Sequence, residues 1–391
     1  MRTSARTCSG RSGRNSSAAR IAVRVSPRRW WMSNFMSQFE NICTQFENMA
    51  QSSPSEGERQ RLGRTVRGAT VGATWRLRAL LQGGGATMLF WLGVTDNRWF
   101  RHVARSRSDE VNFWQPSARA PFTGLPEGTL FLFKLKAPHN HVVGGGRFVR
   151  FTRLPLVTAW EVFEQQNGAS SLSELCSLIS SHRAEPASLD TEIGCTVLTD
   201  VFYLRPEQWF EVGDRFNRNI MVGKKYDSTE LVGASLLADL QSATNGQWVA
   251  DESEVAQGGF GKPFLQRARL GQGSFRTLVI DAYQRRCAIT GEHTLPVLEA
   301  AHIKPYSIEP VHHISNGMLL RSDFHKLFDA GLVTVEPDLK VRVSGRIRDR
   351  YFNGKAYYRL HGQTLAALPL ESIDHPNAAY LRWHNENRFV E

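Results

Sequence analysis

From Met88 to about Asp227 the chain alternates short runs of Val, Leu, Phe and Trp with breaks at Gly, Pro and Asn: FWLGV, TLFLFKLK, GRFVRFTRLP and GCTVLTDVFYL. Such runs, bounded by turn-forming residues, predict strands. Two stretches carry helical spacing instead, Leu156 to Phe163 and Leu172 to Ile179 within SLSELCSLIS. Residues 88–227 therefore read as an α+β or barrel-like domain.

The periodicity fades over 228–264, where QSATNGQ and VAQGGFGKP have the polar, Gly-containing look of a linker, with the boundary near Gly258. It returns at Phe275: Phe275, Leu278, Val279, Ala282 and Tyr283 share one face of a predicted helix. The GQGSF before it lacks the Gly-Lys-Ser/Thr ending of a phosphate loop and no strand immediately precedes it, so it reads as a turn entering that helix. Residues 265–391 form the second predicted domain.

Ahead of both lies a leader, 1–87. Its first 39 residues contain no acidic side chain and are rich in Arg, Ser and Ala, too polar to fold alone and similar in composition to an organellar transit peptide. A disordered basic arm and a start codon placed too early, with Met88 as the true start, are the other readings. The leader also settles how to use the net charge of +11. It holds fourteen Arg, no Lys and four Glu, or +10, leaving 48−14=34 basic against 37−4=33 acidic residues elsewhere. Overall basicity thus says little about the folded domains. The five cysteines are far apart, odd in number and without a CxxC pair, which suggests neither a disulfide framework nor a thiolate zinc knuckle and fits a reducing cytoplasm. No run of about eighteen apolar residues exists to span a bilayer.

The chemistry concentrates between Cys287 and Leu332, where CAITG, LEAAHIKPYS and HHISNGMLLRSDFHKLFDAGL place His302, Asn316 and His325 at separations of fourteen and nine. LPVLEAAHI reads as a strand ending at His302, the NG of Asn316 and Gly317 as turn chemistry, and SDFHKLFDAG as a short helix, together a ββα unit. Ser322 or Asp323 is expected to cap that helix, Phe324, Leu327 and Phe328 to form its buried stripe, and Gly331 to end it in a left-handed conformation. His325 and Asp329, four apart on it, can reach a single ion.

This segment closely resembles the HNH endonucleases, in particular the bacterial group with AAHI, then NG with LLR, then HxLFDxGL. The resemblance implies a ββα-metal nuclease in which His302 activates water, Asn316 orients the loop carrying that base, and His325 holds a divalent ion, Mg²⁺ or Mn²⁺. Asp329 is the expected second ligand. The residue before the base, commonly a metal ligand in the family, is here Ala301, which cannot ligate; Glu299 becomes the remaining candidate, although as a strand residue it alternates to the opposite face from His302. Cys287 stands without the second cysteine of some relatives, with Thr290 in its place, and reads as a core thiol. His312 and His313 are expected to face solvent or phosphate. Lys262 to Arg350 holds fourteen basic and nine acidic residues, compatible with a phosphate-facing surface.

FWLGVTDNRWF, VNFWQPS, GTLFLFKLK and VGGGRFVRF resemble, more weakly, the PUA-like fold group that includes EVE-type readers of modified bases. That resemblance implies a β-barrel-type domain stacking a flipped base on aromatic walls, with Trp91, Trp99, Phe113 and Trp114 as candidates and Trp114 the least core-like. The reading is thus a metal-dependent DNA endonuclease, directed by its first domain to DNA carrying modified cytosine, with a homodimer required for concerted double-strand cuts. The alternatives are an HNH nuclease without modification dependence and a catalytically silent DNA-binding protein.

Overall fold

The computed structural model describes residues 87–245 apart from 123, residue 265, and residues 270–391 apart from 309–311. The leader up to 86 and the linker from 246 to 264 lie outside the described residues.

Seven strands form one mixed sheet: β1 (Leu89–Thr95), β2 (Val111–Gln115), β3 (Leu130–Leu135), β4 (His141–Pro155), β5 (Glu192–Tyr203), β6 (Phe210–Glu211) and β7 (Gly223–Asp227). The order is β2-β5-β4-β3-β1-β7, with β6 on β4; β1 and β3 are parallel and the other pairings antiparallel. Among the described residues no pairing joins β2 to β7, so the closed barrel implied by the PUA-like resemblance is not found and the architecture is mixed α+β.

The sheet is apolar on both sides, which explains the unbroken hydrophobic runs of its central strands. In β1 and β3, Trp91, Phe131, Phe133 and Leu135 enter one core, while Phe90, Leu92, Leu130 and Leu132 enter another. Helices α1 (Asn97–Ser106), α2 (Leu156–Phe163) and α3 (Leu172–Ser180) contribute Phe100, Ala159 and Leu175 to the first core. The second is closed by α4 (Leu231–Ala243), whose Leu236, Leu237 and Leu240 join Phe90 and Tyr226. A helix thus occupies the start of the stretch whose composition reads as linker: three leucines at helical spacing outweigh its polar and Gly positions.

Beyond it come α5 (Gln272–Ala282), the hairpin β8 (Leu298–His302) and β9 (Gly317–Arg321), α6 (Ser322–Asp329), a second hairpin of β10 (Val333–Val335) and β11 (Val341–Val343), the short helices α7 (Arg346–Tyr351) and α8 (Lys355–Tyr358), and α9 (Ala378–Asn387). This part is not a separate bead. Its apolar residues, from Phe275 to Leu381, belong to the same cluster as Trp99 and Phe133. At the junction Glu110, 2% exposed, accepts the backbone N–H groups of Gly273 at 2.9 Å and Ser274 at 2.8 Å, capping α5 from the other half of the chain. Lower down, Thr152 donates to Asp281 at 3.1 Å. A Cβ on Gly273 would stand 2.6 Å from the ring of Phe163 and 2.7 Å from Glu110, so the GQGSF turn owes its glycine to close packing.

Candidate active site

β8 and β9 pair antiparallel, with His302 opposite Gly317 and Glu299 opposite Leu320, and α6 follows β9 without a break: the expected ββα unit. Phe324 and Phe328 are fully buried, Leu327 partly, and Gly331 closes the helix at φ 69°. The expected side-chain cap is absent. Arg321 holds the cap position, and Asp323 instead takes two bonds from the Arg321 guanidinium, at 2.7 and 2.8 Å. Gly317 is extended rather than turned; a Cβ there would meet Val279 at 2.5 Å and Phe275 at 2.9 Å, so it is small because α5 crosses it.

His302 ends β8 in a confined setting. Its ring stacks on Phe275 with centroids 3.9 Å apart, and its Nε2 lies 3.1 Å from His312 Nδ1. His312 in turn stacks on Tyr306 at 4.3 Å. Burial, followed by repulsion from His312 and His325, pushes the His302 imidazole down to about 4, so it is neutral near pH 7. Asn316, fully buried, fastens the next two residues: its Oδ1 accepts from Lys304 N at 2.9 Å, its Nδ2 donates to Lys304 O at 3.0 Å, and its backbone O accepts from Ile303 N at 2.9 Å. A side-chain amide offers a donor and an acceptor together, which an aspartate or leucine does not.

His325 lies between two carboxylates. Its Nδ1 is 2.6 Å from Glu299 Oε2 and its Nε2 is 3.3 Å from Asp329 Oδ2. Glu299, three residues before His302 on β8, thus reaches α6 and meets His325 rather than His302. Ala301 is fully buried, leaving no donor at the position before His302. Among the described residues no group of three His, Cys, Asp or Glu side chains is arranged to hold a metal. The donors present nevertheless suit a hard divalent ion: one imidazole and one carboxylate 3.3 Å apart match two ligands sharing an ion at about 2.1 Å each, and Mg²⁺ commonly takes only one or two protein ligands beside water and phosphate.

His312, Phe275 and Tyr306 are neighbours of His302 that no local pattern announces. The adjacent histidines before NG and the aromatic of GQGSF were the only signals. His302, His312 and Tyr306 line a cavity of about 710 Å³ together with Asp109, Glu110, Thr199 and Asp200 of the first half. Cys287 is buried and accepts backbone N–H bonds from Thr290 at 3.4 Å and Arg321 at 3.3 Å, as a core thiol.

The four aromatic candidates of the first half are all buried, between 3% and 9% exposed, Trp114 included. The indole N–H of Trp99 donates to Asn112 O at 3.1 Å and that of Trp114 to Asn167 O at 2.9 Å. Trp91 packs edge-on against Phe122 at 5.2 Å. Trp99, Phe113 and Trp114 line a cavity of about 300 Å³ with Asp96, Lys136 and His182. Burial would raise the Asp96 carboxyl, but Lys136 at 3.1 Å and the N–H groups of Arg98 and Trp99 outweigh it and hold it below its ordinary value.

Residues 287–336 match the family described as HNH endonuclease, so the chain carries an HNH nuclease segment and is an enzyme of that class. No curated protein matches the chain. Among solved structures it is similar to a modification-dependent TagI restriction endonuclease, at 14% identity and a TM-score of 0.23, over 73% of this chain and 78% of that one. No helix among the described residues is long and apolar enough to cross a membrane.

Proposed function

We propose that the protein is a divalent-metal-dependent DNA endonuclease with His302 as general base. The observation that carries this reading is the placement of the His302 imidazole at the end of β8, stacked on Phe275 and 3.1 Å from His312, beside a loop locked by Asn316. In the tautomer whose Nε2–H donates to His312, His302 Nδ1 keeps the lone pair that takes a proton from water. The resulting hydroxide attacks phosphorus, the P–O bond to the 3′ oxygen breaks, and the phosphate stays on the 5′ side. His325 and Asp329 would hold Mg²⁺ or Mn²⁺, which supplies positive charge for the phosphate and the departing oxygen. Glu299 orients the imidazole of His325 through Nδ1, the role of a carboxylate behind a ligating histidine.

The first half reads as the source of selectivity. The 300 Å³ cavity has room for a nucleobase, three aromatic walls and a polar edge of Asp96, Lys136 and His182 that could read exocyclic groups of a modified cytosine. Trp91 falls outside this pocket. The test is incubation of plasmids that are unmodified or carry 5-methyl- or 5-hydroxymethylcytosine with the wild type and His302→Ala, in Mg²⁺ or EDTA. Metal-dependent cutting of modified DNA by the wild type alone is expected. Absence of cutting on every substrate overturns the endonuclease reading; equal cutting of all removes only the modification dependence.

A further inference from the structure

The turn after α7 holds a residue that folding alone disfavours. Phe352 is 91% exposed and adopts φ 56°, closing α7 with its N–H on Arg348 O at 2.8 Å. A left-handed backbone suits glycine or asparagine far better than a phenylalanine, and an exposed ring gains nothing from burial. Tyr351 beside it is 55% exposed. Around this tip the charge is one-sided: 346–359 contains Arg346, Arg348, Arg350, Lys355 and Arg359 against Asp349, or 5−1=+4.

The tip is held firmly. Tyr358 Oη donates to Ser344 O at 2.8 Å and accepts from Arg348 N at 3.0 Å, and Gly354, at φ 110°, packs so closely that a Cβ would stand 2.7 Å from Ile347. Tyr357 meets Phe324 edge-on at 5.3 Å, which ties the arm to α6, next to His325.

We infer that residues 346–359 are a DNA-contacting arm, in which Phe352 wedges into a base step and stacks on the bases it parts, and Arg348 and Arg350 neutralise flanking phosphates. The inference rests on the DNA-nuclease reading above and adds the surface by which the nuclease half grips its substrate. A rigid exposed aromatic within a basic rim suits nucleic acid, since every base offers a π-face and every phosphate a charge. A protein partner burying Phe352 would have to supply countercharge for the remaining cations, since the one acidic residue of this stretch, Asp349, is paired with Arg348 at 3.3 Å.

Binding of a short unmodified duplex, followed by fluorescence anisotropy on the full chain carrying His302→Ala so that no cutting occurs, tests this. Adding Phe352→Ala is expected to weaken binding about tenfold, and Phe352→Trp to preserve it. Phe352→Gly, freed of the unfavourable backbone, should melt no lower than its parent yet bind as weakly as the alanine variant, which separates contact from folding. Replacing Arg348 and Arg350 by Ala should lower the slope of log affinity against log salt by about 2. Equal affinity of the Phe352→Ala and parent proteins overturns the inference while leaving the nuclease reading intact; so does a change in oligomeric state with DNA affinity unaltered. No binding by the parent to this duplex or to the same duplex carrying 5-methyl- or 5-hydroxymethylcytosine overturns both.

Discussion

The imidazole of His302 lies flat on Phe275, its plane 11° from the phenyl ring and its centroid 3.9 Å away. The apolar face strips water from one side of this imidazole, and His312 at 3.1 Å makes a second positive charge costly. The lowered pKa keeps the base neutral as pH falls through 6.5, so the acid limb due to this group should lie near 4. Phe275→Ala readmits water and should move that limb towards 6.5, read from single-turnover cleavage against pH. A limb that stays in place would show that stacking does not tune the base.

His325 and its two carboxylates make a second, separable set. His325→Ala should lower cleavage by about a hundredfold or more, and Asp329→Ala should raise the metal concentration needed for half-maximal rate. Glu299→Gln keeps a hydrogen-bonding group near Nδ1 but loses the charge, with a loss of about tenfold in metal affinity expected for a group acting through the ligand. Titration of rate against Mg²⁺ and Mn²⁺ distinguishes the three. An unchanged metal requirement in Glu299→Gln would remove its assigned role.

Glu110 binds two N–H groups of the first turn of α5 although 163 residues separate it from Gly273. Glu110→Ala leaves both donors buried and open, and should cost about 1–2 kcal/mol in denaturant unfolding. Glu110→Gln has one acceptor oxygen for two donors and should fall between. Wild-type stability in the alanine variant would contradict a capping role.

His384 is enclosed by Phe328, whose ring lies 3.7 Å from its own, and shares hydrogen bonds with Thr334 at 2.8 Å and Phe328 O at 3.1 Å. Burial pushes its pKa down to about 4. In the unfolded chain it takes a proton near 6.5, so the unfolded state binds more protons between the two values and stability falls as pH drops from 6.5 to about 4. The loss from this group approaches about 3 kcal/mol and is absent above pH 6.5. Melting temperature against pH should show that decline, made shallower in His384→Gln; His302 contributes in the same direction. Identical profiles for the two proteins would refute the assignment.

What could be read before the structure was local. Leu156 to Phe163, the Phe324 and Phe328 stripe and the left-handed Gly331 announce themselves through spacing within a turn or two of helix. The ββα unit with His302, Asn316 and His325 was legible because its signals lie within about fifty residues. Helix α4 was hidden because Gly233, Ser235 and Asp239 dilute its leucines, and only packing on Tyr226 reveals the stripe. Phe275 over His302, Glu299 against His325 and Glu110 on α5 are contacts between elements, and no periodicity records which element will lie beside which. Trp114 misled for a related reason: its polar neighbours Asn112 and Gln115 are themselves buried.

The cap that Glu110 places on α5 also bears on ancestry and grafting. A nuclease half transplanted behind a foreign front half arrives with a helix whose opening turn expects a carboxylate it no longer has, and with a Gly273 surface shaped to Phe163. Hybrids should tolerate exchange of the cavity walls around Asp96 far better than exchange of the β2 edge. In a lineage where such halves have been recombined, position 110 and the residues facing it are where the seam would have to be mended.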